Sequence, residues 1–553
     1  MVREEIRKII RRAYESHIKY PLFEELMFHI EKPPREDFGD YAVSFYVKTG
    51  EKLGTCFPSE VCQKIVLGIK KDPNFTKSFD GVEFRDPVFI NFFVSKEYLQ
   101  KQVGEILEQG EKFGQLEIGK GKKVHPPKFS ERKLRKVQVE FISANPTGPL
   151  TLGNARGGFF GDVLGNVLRK AGFKVEKAYY INDYGMQILA LGHSVLKDEE
   201  AEYKGDYVDY LSKKIKEKDP YRAGEKAAKI IVEEMIKKTV ATMGIKYDEW
   251  ISETKFHQSG ATEKILRQLE KKGFIYEKED ALWFKSSQFG DERDRVLVKK
   301  DGWKTYLAGD AALHWYKFED KKFDKVINIW GADHYGDVAG LQAIVEAIGY
   351  KGKLEIILLQ FVTLFKDGKP FKMSKRLGTY VTVDELLKMV GLNSARFFFL
   401  QRSAGSHLNF DIDLAKEQSE KNPVYYVQYA NARICSILRQ VSSIKYQASS
   451  IGLLNHPSEL NLIKQLIRFP EIIEDTAKDY QIQRIPQYAL DLATTFHQFY
   501  RDCRVLRSFD EIGAKEDRVS EDLSQARLAL ISATKQVIKN TLDLMGISAP
   551  ERM

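Results

Sequence analysis

The chain has 553 residues, 43% of them hydrophobic, and 87 basic against 78 acidic residues give a formal charge of +9. That length allows roughly two to four domains with cores of their own, and the mild basic surplus admits a polyanionic partner without requiring one. The four cysteines form no CxxC pair, the charged opening MVREEIRKIIRRAYESH has no signal-peptide core, and no run is apolar enough to span a bilayer, so disulfide scaffolds and membrane spans are excluded and a cytoplasmic location is expected.

Residues 1–118 read as an α+β unit that opens with a helix. In GVEFRDPVFINFFV, Val82, Phe84, Val88, Ile90, Phe92 and Val94 occupy alternate positions, a strand pattern. Phe89, Asn91 and Phe93 then share the opposite face. A second buried face is the plainer reading; a surface on which an unstacked base lies over a ring while an amide reads its edge is the sharper one. Residues 119–136 form a linker: eight of the seventeen residues from Lys120 to Lys136 are Lys or Arg, and Pro126-Pro127 bars a continuous helix. It is a solvated tether or a strap for phosphates.

From Val137 the pattern changes. VQVEFI reads as a strand, SANPTGPLTLGN as a turn, Ala155 to Lys170 as a helix and FKVEKAYYIND as a second strand. That βαβ unit seeds a doubly wound parallel sheet, and residues 137–412 are expected to form a Rossmann-like α/β domain. Residues 200–280 read as a helical, charged insertion, with strands resuming near Leu282, at KVINIWGAD and at LEIILLQFV. Residues 413–553 read as an all-α bundle.

Two segments suit a nucleotide. Pro149 to Gly157 turns from strand to helix, where backbone N–H groups meet phosphate; Gly153 permits close approach, and Thr151 and Asn154 offer hydrogen bonds. Further on, KMSKR presents Lys372 and Lys375 around Ser374 after the turn KDGKP. Two ammonium groups there can close over a triphosphate and stabilise charge on departing pyrophosphate. Glu140 ends an apolar strand, and Asp310 lies one helical turn after Tyr306 in TYLAGDAALHWY. Acids at the mouth of a parallel sheet can hold a planar guanidinium. No Ser/His/Asp, Cys/His or metal-ligand spacing stands out, which suits a reaction without a protein nucleophile.

In order, EKPPREDFGDYA, PVFINFF, VEFISANPTGPLTLGNARG, YYINDYGMQ, TYLAGD, WGADHYG, KMSKRLGTYVTV, NPVYYVQYANAR and the closing ARLALISATKQVIKN resemble arginyl-tRNA synthetases, a class I family of aminoacyl-tRNA synthetases, over the whole chain. The resemblance implies an arginine–tRNA ligase: arginine and ATP give arginyl-adenylate, and the arginyl group passes to the terminal ribose of its tRNA. It implies that the first step waits for bound tRNA, that Mg2+ accompanies ATP with no protein-held metal, and that the chain is a monomer. By the same resemblance Glu140, Ser143, Asn145, Tyr306, Asp310 and His334 bind arginine. Pro149, Thr151, Gly153, Asn154, Gly331, Asp333, His334, Met373 and Lys375 bind ATP, with Lys372, Ser374, Lys375, Thr151 and Asn154 catalytic. Phe89 and Asn91 would meet the tRNA elbow, and Tyr425, Tyr429, Asn431 and Arg433 the anticodon side. The family's first signature carries two histidines where this chain has Thr151 and Asn154. Both still hydrogen-bond, as in the T-I-G-N version of the tryptophan enzyme, but imidazolium charge is lost. That departure keeps a second reading open, a tRNA-binding paralogue that does not charge tRNA.

Overall fold

The computed structural model describes residues 1–17, 26–49, 52–56, 59–120, 135–371, 381–441, 448–506 and 519–553. In the opening helix Val2–His17, Val2, Ile6, Ile9, Ile10 and Ala13 are buried along one stripe, the spacing of a helix that packs on one side. It lies against helix Ser59–Lys70. Strands β1 (Leu26–Glu31), β2 (Tyr41–Thr49), β3 (Lys52–Cys56), β4 (Phe79–Arg85) and β5 (Phe89–Val94) form an antiparallel sheet in the order β1-β2-β5-β4, with β3 also on β2. The single alternating run at 81–94 is therefore a hairpin: β4 turns back into β5, Val82 faces Phe92 and Phe84 faces Ile90. Alternation survives the turn because cross-strand partners point to one face.

The second body is the expected parallel sheet. Strands β6 (Lys136–Glu140), β7 (Lys174–Ile181) and β8 (Glu249–Ser252) precede a small antiparallel sheet of β9 (Ile275–Lys278), β10 (Ala281–Phe284) and β11 (Arg295–Val298). Then β12 (Lys325–Gly331) and β13 (Leu354–Leu359) complete the order β13-β12-β6-β7-β8, every pair parallel. The chain leaves β6 toward one edge and later returns to its other side as β12. That reversal opens a crevice at the carboxyl ends of β6 and β12, the place where such sheets bind ligands.

Two expectations need correction. The stretch 200–280 is not helical throughout: Glu249–Ser252 joins the parallel sheet as its edge, and β9 and the next hairpin follow. A four-residue strand carries too little alternation to stand out, and its partner β7 lies some seventy positions earlier, so pairing rather than local propensity makes it a strand. The run LEIILLQFV breaks at Gln360-Phe361, after which β14 (Val362–Lys366) pairs with β15 (Lys369–Pro370) and β16 (Leu408–Asp411).

Helices Pro423–Leu438, Pro457–Ile467, Phe469–Asp479, Arg484–Asp502 and Glu521–Met545 make the third body. Arg527, in the Gln525–Leu528 stretch, is an internal tie, donating to Glu459 at 2.6 Å and to the Arg504 carbonyl at 2.7 Å. A buried node joins this bundle to the sheet domain. Asp162 accepts from Lys177 at 2.6 Å and from Arg396 at 2.8 Å, while Arg396 also donates to the carbonyls of Met243 and Met545, which end two helices. Gly546 follows in the left-handed region, and a Cβ there would lie 2.5 Å from the Arg396 guanidinium. The first body docks on the bundle through Arg3–Asp475 at 2.7 Å, Arg7–Glu474 at 3.0 Å and the Tyr41 hydroxyl donating to Glu471 at 3.0 Å. Burial pushes the Glu471 carboxyl up to about 7. Cys62, Cys435 and Cys503 are buried free thiols, and among the described residues no helix is long and apolar enough to cross a membrane.

Candidate active site

A cavity of about 1400 Å³ lies at the carboxyl ends of β6 and β12. Its lining includes Glu140, Ser143, Asn145, Pro149, Thr151, Gly153, Asn154, Tyr306, Asp310, Gly331, Asp333 and His334, so the structure brings together every one of these sequence-predicted residues. They arrive from four separate segments, each at the end of a strand or the start of a helix.

Directly after β6 the chain leaves the sheet through Ile142 and Ser143, with φ of 65° and 41°. Positive φ is costly for a branched side chain, about 1–3 kcal/mol, and is found where a site requires it. Here it throws Ser143 to Asn145 across the cavity wall. Ser143 Oγ is fixed by the Tyr180 N–H at 3.1 Å, and Asn145 Oδ1 by Asn182 Nδ2 at 2.9 Å. With its oxygen engaged, Asn145 keeps its amide N–H groups for a ligand.

Helix Leu152–Lys170 begins on this wall, with Thr151 as its N-cap. The Thr151 N–H and hydroxyl both donate to Asn154 Oδ1, at 2.9 and 3.1 Å. The pair thus works as a unit. The threonine hydroxyl is spent on the amide oxygen, which leaves the Asn154 amide nitrogen as a donor beside the first N–H groups of the helix. This narrows the sequence reading, in which both side chains were free to bind ATP.

Lys372, Met373, Ser374 and Lys375 lie outside the described residues, but the flanks are placed. Phe371 donates to the Leu364 carbonyl at 2.8 Å; on the far side Val381 lines the cavity, Thr382 bridges to Thr151 and Val383 donates to the Leu150 carbonyl at 3.0 Å. The chain therefore re-enters at the first signature turn.

The opposite end of the cavity is acidic. Glu140 is 4% exposed and bonded at 2.7 Å to the fully buried Lys317, which also reaches Asn328 at 3.3 Å. Lys317 falls in a widened turn, Tyr316–Asp320, that follows helix Tyr306–Trp315. That helix carries Tyr306 at its first position, 60% exposed on the rim, and Asp310 one turn deeper. His314 holds the helix: its Nδ1–H donates to the Asp310 carbonyl at 2.8 Å, and its Nε2 accepts from Asn328 at 3.2 Å. Burial and Lys317 drive the imidazole well below its ordinary pKa, so it is neutral. Burial, then the neighbouring Glu140 and Glu253 charges, push the Asp310 carboxyl up to about 8 against the pull of Lys317. Glu253, Tyr180 and Lys317 are residues that sequence reasoning missed. Glu253 is 4% exposed, burial raises its pKa, His257 lies 3.5 Å from its Oε1, and among the described residues its Oε2 and the Tyr180 hydroxyl have no hydrogen-bond partner. Tyr180 lay within the quoted YYINDYGMQ; Glu253 opens a short helix with no sequence signal of its own.

At the end of the neighbouring strand, Gly331 closes β12 and leads into the turn Ala332–Asp337. A Cβ at Gly331 would lie 2.3 Å from an Asp333 oxygen, so only glycine lets that carboxylate fold back. His334 is exposed between Asp333 at 3.9 Å and Asp337 at 3.6 Å.

The remaining predicted residues do not line the cavity. Phe89 and Phe93 are half-buried on β5, but Asn91 between them is only 3% exposed. Phe38 lies under the guanidiniums of Arg35 and Arg85, at 5.1 and 5.7 Å, and Arg85 pairs across the hairpin with Phe89. On helix Pro423–Leu438, Tyr425 and Tyr429 stack at 6.4 Å, Arg433 donates to the Tyr429 hydroxyl at 3.0 Å, and Arg433 covers Tyr500 at 4.8 Å. Asn431 is a correction: it is 1% exposed and donates to the Pro550 carbonyl at 2.8 Å. Tyr425, Tyr429 and Arg433 recur every four residues on the outer face, and position 431 falls on the inner one.

The chain matches three family models: the arginyl tRNA synthetase N terminal domain over 1–94, the catalytic domain of class I (R) tRNA synthetases over 194–398, and the DALR anticodon binding domain over 427–553. It is 40% identical to an arginine–tRNA ligase of Carboxydothermus hydrogenoformans, covering 99% of this chain and 98% of that one. It is 39% identical to that of Bacillus subtilis, covering 95% and 94%. Among solved structures it resembles an arginyl-tRNA synthetase of Campylobacter jejuni at 32% identity and a TM-score of 0.70, covering 83% of this chain and all of that one. It superposes on the Thermus thermophilus arginyl-tRNA synthetase at a TM-score of 0.73 and 21% identity, with both chains fully covered, which supports the fold alone. With full-length relatives at this identity and a cavity that combines a helix N-terminus with a surplus of carboxylates, the chain belongs to the arginyl-tRNA synthetase family.

Proposed function

We infer that the cavity is the adenylation site of an ATP-dependent arginine–tRNA ligase. The observation that carries this reading is the acidic end: Lys317 answers Glu140, and among the described residues no ion pair answers Asp310. A guanidinium supplies the missing cation with planar donors for Asp310, Glu253 and the Tyr180 hydroxyl. Asn145 and Ser143 hold the amino-acid backbone, and the Asn154 amide and the helix start hold phosphate. The arginine carboxylate then attacks the α-phosphorus; a new P–O bond forms as the bond to pyrophosphate breaks, and Lys372 and Lys375 stabilise the leaving charge. Mg2+ enters with ATP, whose phosphate oxygens are the ligands it prefers. In the second step a ribose hydroxyl of the tRNA end attacks the carbonyl carbon and AMP leaves.

The division into 1–118, 119–136, 137–412 and 413–553 is proposed to follow function: elbow binding, linker, chemistry and anticodon binding, in a cytoplasmic monomer. Residues 121–134 of the linker lie outside the described residues. Phe89, flanked by Arg85 and Phe38, is the proposed stacking platform, with Asn91 supporting it from beneath. Phe89→Ala is expected to weaken tRNA binding by about 1–3 kcal/mol, measured by filter binding. The overall reading is tested by ATP–pyrophosphate exchange with arginine, with and without tRNA. Exchange that requires both supports it; none under any condition overturns it.

A further inference from the structure

We propose that Arg156 is a positioning residue for adenylate formation, fixing the distance between the helix start at Thr151–Asn154 and the facing wall at Gln360–Phe361. The inference rests on the adenylation reading above. Arg156 is 2% exposed and makes no ion pair among the described residues. Its Nη1 donates to the carbonyls of Gln360 at 2.6 Å and Phe361 at 3.3 Å, and its Nη2 to those of Ser403 at 2.9 Å and Ser406 at 2.7 Å.

A buried cation without a counter-ion is an expensive way to fill a core. An apolar side chain serves packing better, so the geometry points to what the fork joins. Gln360 and Phe361 interrupt the run from β13 to β14, and both line the cavity. Ser403 and Ser406 belong to a turn already stitched to them, since Gln360 donates to the Ala404 carbonyl at 3.0 Å and Leu408 to that of Phe361 at 3.1 Å. The carbonyls of two segments thus converge on one point. A planar guanidinium with donors in a fixed fork fills that point, and a lysine ammonium with three donors does not. Arg156 comes two residues after Asn154, and Gly153 and Gly157 beside it line the cavity. The fork therefore ties the turn that holds phosphate to the wall across from it. Nothing in this link touches the acidic end, so arginine binding should not depend on it.

The test compares Arg156→Lys and Arg156→Ala with the unsubstituted chain in arginine-dependent exchange, with tRNA present. Expected is a fall in kcat of roughly ten- to hundredfold for Arg156→Lys, with KM for arginine within about twofold and a protein that stays folded at the assay temperature by circular dichroism, since small misplacements of reacting groups act on the transition state. Methylguanidinium at saturating arginine should restore part of the Arg156→Ala rate, and have no such effect on the unsubstituted chain. Full kcat in both variants overturns the proposal. So do variants that do not fold, or a rate loss matched by arginine KM and melting temperature without rescue, because each leaves the guanidinium a purely structural part. Absence of exchange in the unsubstituted chain overturns the functional reading itself, and the proposal with it.

Discussion

Two buried clusters of charge lie in the parallel-sheet domain, and they are built on different principles. At Asp162 the side chains close on one another: Lys177 and Arg396 share the carboxylate, Asn166 takes the remaining Lys177 donor at 2.8 Å, and the spare Arg396 donors reach two helix-end carbonyls. Every charge has its answer within the protein. Around Asp310, the Glu140 and Glu253 carboxylates face the Lys317 ammonium, His257 comes no nearer than 3.5 Å to Glu253, and a carboxylate oxygen and a phenol have no partner among the described residues. A cluster that only supports a fold is completed by its own residues; one that binds a cation is left short by the charge of its ligand.

The contrast can be broken most forcefully at the closed cluster. Arg396→Leu leaves Asp162 with one partner and two helix-end carbonyls bare, and should cost about 3–5 kcal/mol of stability, measured by urea unfolding, while arginine KM in the folded protein stays put. A milder loss would mean that water or Lys177 completes the node. At the open cluster the signs should reverse. Asp310→Asn should weaken arginine binding by about 2–4 kcal/mol, leave ATP KM nearly unchanged and hold or raise stability, since it removes a carboxyl that folding into the empty site must protonate at neutral pH. Unchanged arginine affinity would take Asp310 out of the site.

A subtler test uses pH. The empty site protonates Asp310 below about 8, and a guanidinium demands the ionised form. Arginine affinity should therefore rise with pH by up to about tenfold per unit until near 8, then level, because each bound arginine displaces one proton. Calorimetry in buffers of different ionisation heat reads that proton directly, and Asp310→Asn should abolish its release. Smallest is Glu253→Gln. Losing one neighbouring charge should move the midpoint of that pH curve down by under about one unit; an upward move would place Glu253 away from Asp310.

Much of this was legible in the sequence, for physical reasons that differ by region. Alternation and a strand–turn–helix change are local, so the βαβ unit at Val137 to Asp183 stood out, and Tyr306 and Asp310 one helical turn apart needed only helical geometry. Glu249–Ser252 did not stand out, because a short edge strand owes its state to a distant neighbour. Glu140 was identified as an acid at the sheet mouth, but the ammonium that occupies it comes from Lys317, placed by a widened turn that no periodicity marks. Thr151 and Asn154 offer two donors in the sequence, and the fold spends one on the other. Asn431 was lost to the phase of its helix: two positions past Tyr429 point it inward.

The Arg3–Asp475 and Arg7–Glu474 pairs join residues at nearly opposite ends of the chain. The polypeptide is thus clasped into a ring, and the peptide bonds between the first body and the second are not what holds the first body in place. A protease that cut there would leave a nicked molecule whose pieces travel together, held by the Gln100 amide on the Gly452 and Leu454 carbonyls as well as by the clasp. Raising the ionic strength would loosen it, since Arg7 and Asp475 keep 37% and 31% of their side chains in water, where the screening length shortens from about 10 Å at 0.1 M salt to about 3 Å at 1 M.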